Sequence, residues 1–135
     1  MWRMIWAWLI YTWGGLHRYF GNLNNLRREH ETAVRYFTRA YEIDPTFHQA
    51  RLARAVLLWR ELGQLAAARA DLDSLLVAEP TYAPAWLNRA LVAQADGRFQ
   101  DAVTDLDTYL SLPDGNYTAE ATRLRQLIQE LLTEE

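Results

Sequence analysis

Cysteine and lysine are both absent, and all 14 basic residues of the 135 are arginine. Without thiols there is no disulfide framework, no thiol nucleophile and no cysteine-based metal site. Without lysine there is no amine nucleophile or Schiff base. Glycine-rich phosphate loops, nucleophile elbows and HExxH pairs do not occur; Gly14-Gly15 is followed by no lysine and reads as a hinge or a helix break. No apolar run is long enough to span a bilayer: Met4 to Trp13 covers ~15 Å as a helix, about half the hydrocarbon core. The sequence offers no catalytic residue, no metal ligand set and no cofactor site, and it predicts a chain that is not an enzyme.

Half of the residues are hydrophobic and 23% are charged, the balance of a folded chain of single-domain size. The net charge of −3 hides an asymmetry. Residues 1–60 carry nine arginines against four acids, whereas 61–135 carry five against thirteen. A basic half beside an apolar segment suits an anionic surface or an acidic partner, and the acidic half argues against nucleic acid.

Glycines Gly63 and Gly97 lie 34 residues apart. At the same offset Ala68 returns as Ala102, Leu72 as Leu106, Asp73 as Asp107 and Leu76 as Leu110. The stretch Ala33 to Pro45 reads as the second half of an earlier copy, and Pro45 precedes Pro80 by 35. A helical period of this length marks stacked hairpins, each of which needs neighbours to bury its apolar stripe. Tyr117 to Leu132 carries Ala121, Leu124, Leu127, Ile128, Leu131 and Leu132 at helical spacing after the turn Pro113-Asp114-Gly115-Asn116. That pattern predicts an amphipathic helix with Thr118 as its cap, closing the end of a repeat array.

These features resemble the tetratricopeptide repeat (TPR). The third copy supplies Trp86, Ala90, Gly97, Phe99, Ala102 and Pro113; the second supplies Leu52, Val56, Gly63, Leu65, Ala68, Leu72 and Pro80. The first supplies Gly21, Ala33, Phe37, Ala40 and Pro45 but departs from the pattern at His17 and Arg28. The resemblance implies an all-α solenoid of three helix hairpins (14–48, 49–82 and 83–116), a C-terminal capping helix over 117–135 and an apolar N-terminal helix over 1–13. It also implies a protein partner in a concave groove.

In family members that clamp a carboxylate, a basic residue and an asparagine come from the first repeat; Arg18 and Asn22 match them here. Arg54 stands where an asparagine is expected, and Pro84 and Asn88 where basic residues are expected, so the clamp is incomplete. Arg18, Asn22, Arg54, Leu57, Arg60, Asn88 and Leu91 would give a mixed basic and apolar groove for an acidic or amphipathic segment. The competing reading pairs Arg54 and Arg60 with nearby acids. His17, His30 and His48 read as surface residues, and the pairs Asp71/Asp73 and Asp105/Asp107 as a solvated convex face.

The N-terminal segment is foreign to a TPR: residues 1–13 hold four of the six tryptophans and only Arg3 as a charge. Trp2, Ile5, Trp6, Trp8, Leu9 and Trp13 require cover. The favoured cover is a membrane interface, with Arg18, Arg27 and Arg28 keeping the repeats on the cytoplasmic side as a peripheral or monotopic protein. The second is a transmembrane partner subunit, and the third is the chain's own first repeat. The sequence thus predicts a membrane-associated adaptor, assembly factor or accessory subunit. Its alternative is a soluble cytoplasmic module that self-assembles through its N-terminus.

Overall fold

A computed structural model describes residues 1–134. It contains seven helices, and no strand occurs among the described residues: α1 (Trp2–Asn24), α2 (Arg27–Ile43), α3 (His48–Arg60), α4 (Leu65–Ala78), α5 (Ala83–Ala95), α6 (Phe99–Ser111) and α7 (Thr118–Glu134). The all-α class expected from the periodicity is the one observed. Two compact units divide within α4, the first ending at Asp71 and the second beginning at Leu72.

Helix ends follow local chemistry. The α3–α4 and α5–α6 turns place Gly63 and Gly97 at φ 65 and 76, a left-handed conformation that side chains resist. The α2 end at Ile43 precedes Asp44-Pro45, and Asp44 is extended because a residue before proline is pushed out of the helical region. Asp44 Oδ1 accepts from both the N–H and the hydroxyl of Thr46, at 3.1 and 2.6 Å. The Thr46 hydroxyl bond is the main reason the Asp44 carboxyl sits below its ordinary pKa. At the other end of the chain, α7 starts at Thr118, so this threonine is inside the helix instead of capping it. Its hydroxyl donates to the Gly115 carbonyl at 3.3 Å.

In the first unit α1 packs on α2. It runs without interruption through Gly14-Gly15, so the expected hinge is absent and the boundary drawn at residue 13 falls inside one helix. Its buried residues are Ala7, Gly14 and Gly21, spaced by seven. A Cβ on Gly14 would meet the Phe37 ring at 2.9 Å, and one on Gly21 would meet His30 at 2.6 Å, whereas a Cβ on Gly15 meets nothing within 4 Å. Only the glycine on the seam is required. The core behind it joins Ala33 and Phe37 of α2 to Ala53 and Leu57 of α3, with Tyr11 packed alongside.

The second unit has its own core, in which Ala90, Leu106, Tyr109, Ala121 and Ile128 are buried and Trp86, Phe99 and Leu124 pack against them. Its buried α5 members, Ala83, Ala90 and Ala93, are small, while Leu106 and Tyr109 of α6 supply much of its volume.

Two outcomes follow from the seam. Gly14→Val and Gly21→Val should each lower unfolding free energy by about 1–3 kcal/mol, because added carbons must displace a packed ring. Gly15→Ala should leave it unchanged or raise it by up to about 1 kcal/mol through helix propensity. Urea unfolding followed by circular dichroism checks all three, and equal losses at positions 14 and 15 would refute the seam.

Candidate functional site: an exposed apolar helix face and a basic cleft

Because α1 meets α2 through the small residues Ala7, Gly14 and Gly21, most of its large side chains point elsewhere, Tyr11 on the Phe37 ring being an exception. Eleven large hydrophobic residues of α1 are between 41% and 77% exposed. All six anticipated contact residues, Trp2, Ile5, Trp6, Trp8, Leu9 and Trp13, are among them. The structure adds Leu16, Tyr19, Phe20 and Leu23, which sequence reasoning missed by treating Gly14-Gly15 as a break. The spacing of Ala7, Gly14 and Gly21 was the signal that could have found them.

The side of α1 turned from α2 carries no charge. Arg3 reaches back to donate Nε and Nη2 to the Ile43 carbonyl at 3.1 and 3.0 Å, and Arg18 lies over the Phe37 ring at 5.7 Å. Thr12, the polar interruption, donates its hydroxyl to the Trp8 carbonyl at 2.8 Å. The polar groups left on that side are the tryptophan indole N–H groups and the Tyr19 hydroxyl. No helix among the described residues is long and apolar enough to cross a membrane.

Arg18, Asn22, Leu57 and Arg60 line one cleft of the first unit, together with Val56 and Glu61, of about 260 Å³. Four of the seven anticipated groove residues therefore meet. They differ in availability. Leu57 is 2% exposed and belongs to the core. Asn22 Oδ1 is engaged by His30 Nε2 at 2.8 Å. Arg18 and Arg60 supply the positive charge of the cleft, Arg60 lying beside the Trp59 ring at 5.9 Å.

Arg54 is held elsewhere. Its Nε and Nη2 donate to the two carboxylate oxygens of Asp71, each at 2.7 Å, and Nη1 donates to Thr38 Oγ1 at 2.9 Å. Burial by itself would pull the Arg54 pKa down; the hydrogen bonds and charge of Asp71 outweigh it and raise it. Arg89 repeats the device in the second unit, bidentate to Asp105 at 2.9 and 2.8 Å and bonded to Asp73 at 3.1 Å. Its pKa is raised first by the Asp105 hydrogen bond, against the effect of burial.

Asp71 and Asp105 are 5% exposed, so the solvated acidic face expected from sequence is corrected at these two positions. Arg54 and Arg89 join helices rather than offering themselves to a ligand. The signal was present, since an arginine and an aspartate recur together at the repeat period. Asn88 and Leu91 belong to the second unit; Asn88 Nδ2 donates to the Pro84 carbonyl at 2.8 Å.

His30 is also corrected, being buried against Gly21 rather than on the surface. His17 bonds Glu29 at 2.6 Å and stacks on Tyr36. Among the described residues no three His, Asp or Glu side chains cluster closely enough to hold a metal ion.

No protein-family model matches the sequence, and a search of curated proteins finds no match. Solved structures do match. The first TPR of Spaghetti (RPAP3), bound to the HSP90 peptide SRMEEVD, superposes with a TM-score of 0.80 at 22% identity, covering 94% of this chain and 93% of that one. The Arabidopsis OM64 TPR domain gives 0.76 at 21% identity, covering 92% and 97%. The second TPR domain of human RPAP3, in complex with the HSP70 peptide SGPTIEEVD, gives 0.65 at 21% identity, covering 84% and 92%. The fold is the TPR fold.

Asp71→Asn should cost about 1–3 kcal/mol of stability, since it leaves the partly buried Arg54 guanidinium without its countercharge. Arg54→Leu with Asp71→Leu should recover most of that loss, because neither charge is then desolvated. Chemical denaturation of the single and double variants checks this, and a double variant no better than the single one would contradict it.

Proposed function

We propose that this chain is a protein-binding scaffold held against a lipid interface by the outward side of α1, with its basic cleft turned to an acidic partner segment. The TPR fold supports the scaffold half of this reading, as does the binding of acidic peptides by two of the similar structures. The observation that carries the tether is the uncharged side of α1. A half-exposed aromatic side chain presents on the order of 100 Å², so eleven large side chains present on the order of 1,000 Å². That exceeds the largest apolar patch of an ordinary monomer.

Lipid suits this surface for three reasons. Tryptophan and tyrosine favour the headgroup level. The first unit is basic, with ten arginines against six acids through Asp71. The chain's own first repeat covers the small seam of α1 and Tyr11 but leaves the four tryptophans of the helix more than half exposed. A transmembrane subunit or a second copy would bury the same surface, and the test separates them from lipid.

The chain should co-sediment with vesicles of mixed neutral and anionic lipid, less so as salt rises. Ile5→Ser, Leu9→Ser, Leu16→Ser and Leu23→Ser together should abolish sedimentation while leaving helix content intact, because each lost apolar contact removes about 1 kcal/mol or more. A chain that stays in solution beside vesicles, or a fourfold variant that still sediments, defeats the tether. A stable dimer by analytical ultracentrifugation that ignores lipid would identify a second copy instead.

The cleft is tested separately with the peptide SRMEEVD as an acidic probe. Arg18→Ala and Arg60→Ala should each weaken it a few-fold at low salt, as expected when an exposed ion pair contributes about 0.2–1 kcal/mol. Unchanged affinity in both variants would move the partner to another surface.

A further inference from the structure

The second unit holds a small cavity that the basic cleft and the apolar side of α1 leave unused. It lies between the first turns of α5 and the loop joining α6 to α7, with a volume of about 80 Å³. Pro84 and Leu87 form an apolar wall, Tyr109 is also in the lining, and Asp114, Asn116 and Tyr117 supply its loop side.

This loop is fixed by its own contacts. Tyr109 is 2% exposed, and its hydroxyl accepts the Tyr117 N–H at 2.9 Å. Gly115 rests on the same ring so closely that a Cβ there would come within 3.0 Å of Tyr109 Cζ. The cavity is thus organised before anything enters it, and ordering it costs a ligand little.

Its lining includes one carboxylate and no cation. The surroundings deepen that sign. From Leu72 onward the chain carries four arginines against eleven acids. Three of those arginines are bound to aspartates: Arg89 to Asp105 and Asp73, Arg98 to Asp96, and Arg125 to Asp107. Pairing neutralises the arginines locally and leaves the excess of acids to set the field.

We propose that this cavity receives the side chain of an arginine or lysine from a partner segment. The aliphatic stem runs along Pro84 and Leu87, and the cationic head meets the Asp114 carboxylate, the Asn116 amide oxygen and the ring of Tyr117, which is 57% exposed. A cavity of about 80 Å³ has room for one such stem. Positions 84 and 88, where a carboxylate clamp would need cations, border a site of the opposite preference. The proposal extends the scaffold reading and is independent of the lipid tether.

The test is an amide NMR titration of the full chain with acetyl-Ala-Arg-Ala-amide, and with the same tripeptide carrying Glu in place of Arg. The arginine peptide should give saturable shifts at Leu87, Gly115, Asn116 and Tyr117 in the millimolar range, and the glutamate peptide none there. Asp114→Asn, which alters an exposed loop position, should weaken binding at least about threefold with an unchanged melting temperature. Arg18→Ala with Arg60→Ala should leave the titration as it was. Shifts of equal size with the glutamate peptide, absence of saturable shifts, or an Asp114→Asn variant with full affinity would overturn the site. Because the readout needs neither vesicles nor the basic cleft, failure of the lipid or acidic-peptide experiments does not bear on it.

Discussion

The close contact of α1 with α2 is the constraint from which the character of the first unit follows. Three small residues spaced by seven, Ala7, Gly14 and Gly21, let two helix backbones approach until Phe37 and His30 fill the room a side chain would take. A seam so narrow consumes little of the helix circumference. The bulky residues are consequently left on the remaining surface, and the two arginines of α1 are drawn toward α2 by the Ile43 carbonyl and the Phe37 ring. The uncharged outer side is a result of how the inner side packs.

A second device recurs in both units. Arg54 and Arg89 each bind a buried aspartate of the following helix with two parallel hydrogen bonds and reach a third group on the helix before, Thr38 in one case and Asp73 in the other. Such a fork ties three successive helices through one side chain. Its geometry demands arginine rather than lysine, whose single ammonium cannot satisfy a planar carboxylate and a third acceptor together. The absence of lysine accords with this, although most arginines of the chain lie outside these forks.

Helical class and repeat were legible because glycine, proline and alanine mark turns, ends and close contacts at a fixed spacing, and Gly63 and Gly97 do occupy left-handed turns. What escaped was three-dimensional. Gly14-Gly15 looks like a break when read along the chain, but one of the two glycines faces a phenylalanine ring and the helix passes through. Asp71 and Asp105 look solvated because their partners are 17 and 16 residues away on another helix. The basic cleft was partly visible, since Arg18, Asn22, Leu57 and Arg60 do meet. Their availability was not, because the pairing of Asn22 with His30 and the burial of Leu57 depend on how α1, α2 and α3 pack.

The unbroken course of α1 also makes the connection between its outer surface and the cleft a rigid one. Trp2 and Arg18 belong to a single rod, pinned at its first turn by Arg3 and along its length by the seam. Whatever covers the aromatics therefore dictates the direction in which the cleft faces, as a shaft dictates the bearing of a blade fixed to it. The angular register between them is set by sequence spacing alone. One residue inserted between Trp13 and Arg18 would turn the cleft residues of α1 by about 100° about the helix axis relative to the tryptophans.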